Sequence, residues 1–239
     1  MEKSVIVIPT YNEAGNIAPL LEAIFENVPE TYVLIVDDSS PDGTAGIVTG
    51  FMDKYPNLML LERSEKQGLG VAYRAGFAYA LSVHPDAAIL GMMDADFYHD
   101  PKDLPRLLEE ASRTDVVIGS VYAKGGHVPA SFTIFRTLLS RGGNLYCRFF
   151  FGYPLTDWTN AFVMIRASAL EKINVSSLAA KDFAFIFGIK YALLKHGSTW
   201  KDIGVIASER TSGESKITMK TIIEALLAPW KLRFGSQKI

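Results

Sequence analysis

Four short apolar runs, residues 5–8, 32–36, 58–61 and 87–93, recur along the first hundred residues of this chain. The first two hold only β-branched and other apolar or aromatic residues, the pattern of strands buried on both faces. Between the runs the spacing turns helical: Ile17, Leu20, Leu21, Ile24 and Phe25 after the first, then residues 45–55 and 70–82. Strands alternating with helices predict an α/β fold, a mostly parallel sheet flanked by helices. Ligands of such sheets bind beyond the carboxyl ends of the strands. Here three of those ends carry carboxylates: Glu13, then Asp37 and Asp38, then Asp94 and Asp96. One such acid reads as a helix cap; three on one edge read as a site.

Each group has a plainer alternative. Asp94-Ala95-Asp96 can face one cation with two hard oxygens, which suits Mg²⁺ or Mn²⁺, or it can cap a helix that starts near Pro101. Asp37 or Asp38 can accept hydrogen bonds from a nucleobase or ribose, or Pro41, Asp42 and Gly43 can simply make a turn. A calcium loop starting at Asp38 fails, because its twelfth position is Thr49. Gly68-Leu69-Gly70 is a weak dinucleotide fingerprint, since Tyr73 stands where the third glycine belongs and the motif does not follow the first strand. It reads better as a turn before a helix whose Arg74 could reach a diphosphate. His84, His99, His127 and His196 show no metal-ligand spacing and read as surface or second-layer residues. No P-loop or Gly-x-Ser-x-Gly elbow occurs, which leaves NTP hydrolysis and serine chemistry without support.

The second half is built differently. Residues 116–156 contain no Asp or Glu, while Lys124, Arg136, Arg141 and Arg148 fall inside. Arg136, Ser140, Asn144 and Arg148 are spaced by four and form one polar stripe on a helix, with Phe132, Phe135, Leu139, Tyr146, Phe149 and Phe150 on an apolar side. The stripe is either a solvated face or, beside exposed aromatics, a surface for anionic lipid or a lipid phosphate. A second apolar stripe, Met219, Ile222, Ile223, Leu226, Leu227 and Trp230, precedes a basic tail. No run reaches the roughly 18 apolar residues of a spanning helix, and the first residues show no cleavage pattern, so no leader is expected. A net charge of −2 argues against a nucleic-acid partner. Cys147, the only cysteine, excludes an intrachain disulfide and suits a reducing compartment. With no internal repeat or long linker, residues 1–239 are expected to form a single domain.

Taken in order, Val7-Ile8-Pro9-Thr10-Tyr11-Asn12-Glu13, the stretch from Val36-Asp37-Asp38 to Gly43-Thr44, Gly68-Leu69-Gly70, Met93-Asp94-Ala95-Asp96 and Val116-Val117-Ile118-Gly119-Ser120 resemble the family 2 glycosyltransferases. The likeness is greatest to dolichyl-phosphate and polyprenyl-phosphate mannose synthases, and the stretches from Arg136 to Asn144 and from Arg210 to Lys216 extend it. The resemblance implies a GT-A fold with C-terminal amphipathic interface helices. Residues 1–120 would bind a nucleotide-sugar donor, and 121–239 would face acceptor and membrane. By that likeness Pro9, Tyr11, Glu13, Val36, Asp37 and Asp38 would hold the nucleoside. Asp94, Ala95 and Asp96 would hold the diphosphate through Mg²⁺ or Mn²⁺, with Asp94 and Asp96 as metal ligands. Arg210 and Lys216 would bind donor or acceptor phosphates, and Arg136 and Ser140 the lipid phosphate. Asp96, Arg136 and Arg210 would carry catalysis.

The implied reaction is an inverting transfer of a sugar, mannose foremost, from GDP-mannose to a polyprenyl or dolichyl phosphate at the cytoplasmic face of a membrane. Contact would be peripheral, with the membrane itself or with a membrane-anchored subunit. A phosphate oxygen is already anionic, so no general base is required. The chain departs from the synthase pattern in four places. Val121 replaces an arginine, and Tyr98 stands where Gln or Ser is usual. The segment Asp157-Trp158-Thr159-Asn160-Ala161-Phe162-Val163 replaces Asp-x-Thr-Ser-Gly-Phe-Arg, and Phe185-Ile186-Phe187-Gly188 replaces Phe-Gln-x-Glu. Other donors, such as a UDP-sugar, or other acceptors stay open. So do a phosphohydrolase using Asp94 as nucleophile and a non-catalytic nucleotide-sugar or membrane-surface binding module.

Overall fold

A computed structural model describes residues 2–129, 131–178, 182, 184–208 and 219–234. Arg210 and Lys216 lie outside the described residues. In chain order the elements are β1 (Ser4–Thr10), α1 (Ile17–Asn27), β2 (Tyr32–Asp37), α2 (Thr44–Met52), β3 (Leu58–Glu62), α3 (Leu69–Val83), β4 (Ile89–Met92), α4 (Leu104–Ala111) and β5 (Val116–Ser120). They continue with α5 (Ile134–Phe151), β6 (Val163–Arg166), α6 (Ala167–Leu170), α7 (Ala184–Lys195), β7 (Trp200–Gly204) and α8 (Met219–Phe234).

The seven strands form one sheet in the order β3-β2-β1-β4-β6-β5-β7. The pairs β1–β2, β1–β4, β2–β3 and β5–β7 are parallel, whereas β6 runs antiparallel to both β4 and β5. The expected α/β architecture is therefore present. The expected strand at 87–93 is shorter, and the helix expected over 45–55 ends at Met52. Pro56 accounts for the second difference, because the residue before a proline disfavours helical backbone.

Alternate residues of β1 and β2 enter opposite layers. Val5, Val7, Leu34 and Val36 pack with Tyr73 and Phe77 of α3 and with Phe185 and Ile189 of α7. Ile6, Ile8, Val33 and Ile35 pack with Leu20 and Ile24 of α1 and Leu107 of α4. Each Val or Ile removed wholly from water contributes roughly 1.5–3 kcal/mol. Both faces are covered, so near-continuous apolar strands suit this sheet. Cys147 of α5 belongs to the first layer, where burial pushes its thiol up to about 12.

α5 begins at Thr133, whose side-chain oxygen accepts the Arg136 N–H at 3.2 Å, and stops at Gly152, left-handed at φ 77°. Its buried residues are Asn144, Cys147 and Phe151, while Ile134, Phe135, Leu138, Leu145 and Phe149 are exposed. The polar stripe thus turns inward in part and the apolar side turns out. α8 lies against α5: the Tyr146 hydroxyl donates to the Leu226 carbonyl at 2.6 Å, and Phe150 meets Trp230 edge-on at 5.7 Å.

α3 reaches the sheet at Gly76, where an added Cβ would strike Val7 and Val36 side chains. Replacing Gly by Ala inside a helix is worth up to about 1 kcal/mol in propensity, but overpacking a filled core costs roughly 1–3 kcal/mol. Gly76→Ala is expected to lower the urea midpoint; a raised midpoint would show that the helix can lift off freely.

Candidate functional site

The strand order reverses at β1, which has β2 on one side and β4 on the other. The connections leaving β1 and β4 run toward opposite edges of the sheet, to β2 and to β5, and a crevice opens at their carboxyl ends. The loops after β1, β2 and β4 meet there, and each contains a non-glycine residue in the left-handed region: Asn12 at φ 59°, Ser39 at 53° and Phe97 at 63°. No other non-glycine among the described residues has a positive φ. Each such residue costs on the order of 1–3 kcal/mol and persists only where its surroundings hold it.

The acids at these ends have different tasks. Asp37 is 1% exposed and accepts from the Thr10 hydroxyl at 2.8 Å, the Ser40 N–H at 2.8 Å and the Ser40 hydroxyl at 2.6 Å. It ties β1 to β2 and closes the turn. Asp38 pairs with Arg63 at 2.7 Å; burial nevertheless raises its carboxyl above the usual range, against the opposing pull of Arg63. Glu13 accepts from the Asn16 side chain at 2.8 Å beside the start of α1. Tyr11 lies under Lys66, whose Nζ is 3.8 Å from the ring centroid. Pro9 sits at the end of β1, partly exposed. The Val36 side chain is completely buried in the core and supports this edge from beneath. Asp42 accepts from Thr44 and Ala14, and the calcium-loop alternative gives way to the turn. Arg74 donates to the Leu178 carbonyl at 2.6 Å and lies over the Phe185 ring of α7 at 5.6 Å.

After β4, Ala95 turns into the core while Asp94 and Asp96 remain partly exposed. The capping alternative fails here: it is Asp100 whose carboxylate accepts the Lys102 N–H at 3.0 Å and caps the turn Pro101–Asp103. Asp96 accepts the Tyr98 N–H at 3.1 Å. His99 folds back beneath this turn, 1% exposed, and its Nδ1 accepts the Asp94 N–H at 2.9 Å. That leaves Nε2 protonated toward the side-chain oxygen of Asn160. Of the four histidines only His99 has a place in the site, as a second-layer residue. The loop after α5 returns to the crevice because β6 runs antiparallel, which brings Asp157 to Asn160 to the edge where β4 and β5 end.

Lys190 of α7, fully buried, donates to the carbonyls of Asp157, Trp158 and Asn160 at 2.9, 3.1 and 2.7 Å. Burial lowers its ammonium to about 8 and raises the Asp157 carboxyl. The stretch 185–188 on the same helix is core. Neither His99 nor Lys190 stands in a recognisable spacing; the signal for Lys190 was a charge within an otherwise apolar helical run.

On the far side of the crevice, the Arg136 guanidinium stacks on Phe132 at 3.8 Å and Phe132 stacks near Tyr98 at 6.2 Å. Ser140 meets the Tyr122 hydroxyl at 2.8 Å, and Asn144 accepts the Trp158 N–H at 2.6 Å. The polar stripe of α5 therefore borders the 157–160 loop. Val121 is buried in the core.

Two carboxylates at one strand end, both hard oxygen donors, fit Mg²⁺ or Mn²⁺. Such ions are commonly held by one or two carboxylates, with water and substrate phosphates completing the shell. No larger cage of His, Cys, Asp or Glu forms among the described residues. His99 has both ring nitrogens engaged and is not a ligand.

The model of Glycosyl transferase family 2 matches residues 5–174. The chain belongs to that family. It is 36% identical over 92% of its length to the undecaprenyl-phosphate mannosyltransferase of Micrococcus luteus, covering 90% of that protein. It is 33% identical over 97% of its length to the polyprenol monophosphomannose synthase of Mycolicibacterium smegmatis, covering 88% of it. Among solved structures, its fold is similar to a mannosyltransferase from Pyrobaculum calidifontis in complex with GDP-Man and Mn²⁺, with a TM-score of 0.59 and 17% identity over 97% of this chain and 70% of the other. The GT-A fold of the family and the observed sheet agree.

Asp37→Asn replaces a carboxylate that takes three donors by an amide that cannot accept them all. A loss of about 1.5–3 kcal/mol in urea unfolding is expected; a loss below about 0.5 kcal/mol would mean the turn is held otherwise.

Proposed function

We propose that this chain transfers mannose from GDP-mannose to a polyprenyl phosphate, with inversion at the sugar carbon and with Asp94 and Asp96 holding a divalent ion, Mg²⁺ or Mn²⁺. The observation that carries the reading is the near full-length likeness to two polyprenyl-phosphate mannose transferases, together with a crevice that opposes acids on one wall to arginine and aromatics on the other. When bound, the ion would neutralise charge on the departing nucleoside diphosphate. The residues of the chain divide the remaining work. The first half, 1–120, receives the nucleotide at the ends of β1 and β2, where Tyr11, Glu13 and the Asp38–Arg63 pair stand. In the second half Arg136 is exposed above Phe132, and with Ser140 it would hold the acceptor phosphate. Arg210 and Lys216, outside the described residues, are proposed to add positive charge to the same pair of anions. The nucleophile arrives deprotonated, so no base is assigned.

The outward apolar face of α5 and α8 belongs to this proposal. Phe135, Phe149, Trp230 and Phe234 are 56–79% exposed, and Arg141, Arg148, Lys231 and Arg233 are exposed on the same two helices. Apolar rings among cations match the boundary of an anionic bilayer, and the acceptor of this reaction resides there. No helix among the described residues is long and apolar enough to cross a membrane, and peripheral docking at the cytoplasmic face is the mode proposed.

With GDP-[¹⁴C]mannose, Mn²⁺ and undecaprenyl phosphate in vesicles, the parent should form a butanol-extractable mannolipid. Asp96→Ala should reduce turnover at least 100-fold, and Arg136→Ala should raise the acceptor KM about tenfold while leaving GDP-mannose binding within twofold. Labelled lipid formed from UDP-sugars alone, or Asp96→Ala with full metal-dependent activity, would defeat the assignment. The double change Phe135→Glu with Phe149→Glu should abolish flotation with phosphatidylglycerol vesicles and spare donor binding. Undiminished flotation would remove α5 as the docking face.

A further inference from the structure

The turn that bears Asp94 and Asp96 contains the left-handed residue Phe97, and such a turn keeps its shape only if something beneath it does not yield. What lies beneath is a buried chain of hydrogen bonds leading away to α7. The Lys190 ammonium has three protons and three carbonyl partners, Asp157, Trp158 and Asn160. Three donors meeting three acceptors describe the protonated amine; a neutral amine would turn a lone pair toward one carbonyl. An ammonium in a core is tolerated only with every proton taken up, and here the acceptors all belong to one loop.

Asn160 is fixed at both ends. Its carbonyl is held by Lys190, its N–H by the Asp157 carboxylate at 3.1 Å, and its side-chain NH₂ donates to the Gly119 carbonyl of β5 at 2.7 Å. With the NH₂ so committed, the amide oxygen faces His99 Nε2. The His99 ring stacks on Phe162, centroids 4.8 Å apart, and its Nδ1 is thereby the acceptor for the Asp94 N–H. Turning the amide over would break the bond to Gly119 and the bond to His99 together.

We infer that Lys190 and Asn160 are positioning residues for the metal-holding turn and act on it through His99. The inference rests on the reading above that Asp94 and Asp96 hold the ion. It makes α7, which presents none of the proposed ligands, a determinant of metal affinity. Partners in such outer layers commonly change metal affinity about 10- to 100-fold.

The test uses the full chain and Mn²⁺ alone, titrated by electron paramagnetic resonance. His99→Phe keeps the stacked ring and loses both nitrogens; His99→Gln keeps one acceptor and one donor. His99→Phe, Asn160→Leu and Lys190→Met are expected to weaken Mn²⁺ about tenfold or more, with His99→Gln and Lys190→Arg within about threefold of the parent. Without metal, ¹⁵N shifts of the His99 imidazole should report the Nε2–H tautomer in the parent and a mixture in Asn160→Leu and Lys190→Met.

Folded Asn160→Leu or Lys190→Met chains that bind Mn²⁺ like the parent would overturn the inference, as would an Nδ1–H tautomer in the parent. A Lys190→Met chain that does not fold assigns the ammonium to stability and overturns its positioning role; the His99 pair and Asn160→Leu then decide the rest. Asp94→Asn and Asp96→Asn separate the two levels. If they bind Mn²⁺ like the parent, the metal-site reading itself fails. If they lose it and the His99, Asn160 and Lys190 variants do not, only the present inference fails.

Discussion

Everything in this molecule follows from the direction of its strands. Parallel strands need crossover connections, and those leaving β1 and β4 run toward opposite edges of the sheet, to β2 and to β5, so the carboxyl ends between them stay open. That gap collects the loops after β1, β2 and β4. The single reversal at β6 completes it, because a strand running the other way begins where its neighbours end. The acids after β1, β2 and β4 thus reach the crevice from carboxyl ends, and the 157–160 loop reaches it from an amino end.

The parts legible in the sequence are those with a repeated physical signal. Residues 5–8 and 32–36 announce a sheet covered on both faces, and Ile17 to Phe25 a helix on one of them. β7 is not legible in the sequence, because its residues Trp200, Lys201 and Asp202 face water or half-face it and no apolar run marks it. β6 is four residues long and lacks a run of its own. In the site, Asp94 and Asp96 were legible as a short spacing at a strand end. Asp37 reads the same in the sequence, and only three dimensions show that Thr10 and Ser40 donate to it. His99 and Lys190 carry no spacing at all, and their places follow from long-range packing.

α5 shows where periodicity stops being informative. A spacing of four defines a polar stripe and an apolar side, but it does not say which one meets the protein. Here the ordinary arrangement is inverted. Asn144 lies inside, bonded to the Trp158 backbone, and Phe149 lies outside. Under the proposed function, such a helix would serve two requirements at once, polar groups toward the crevice and apolar groups toward a bilayer.

The burial of Cys147 has a practical consequence. A thiol held at about 12 and shut inside the core is almost wholly un-ionised at neutral pH, and only the thiolate is a nucleophile. The native chain is therefore expected to react with maleimides and nitroxide reagents as though it contained no cysteine. A single thiol introduced on the outer side of α5 would take up a spin label alone, and any contact of that face with a bilayer would be read with no other site contributing.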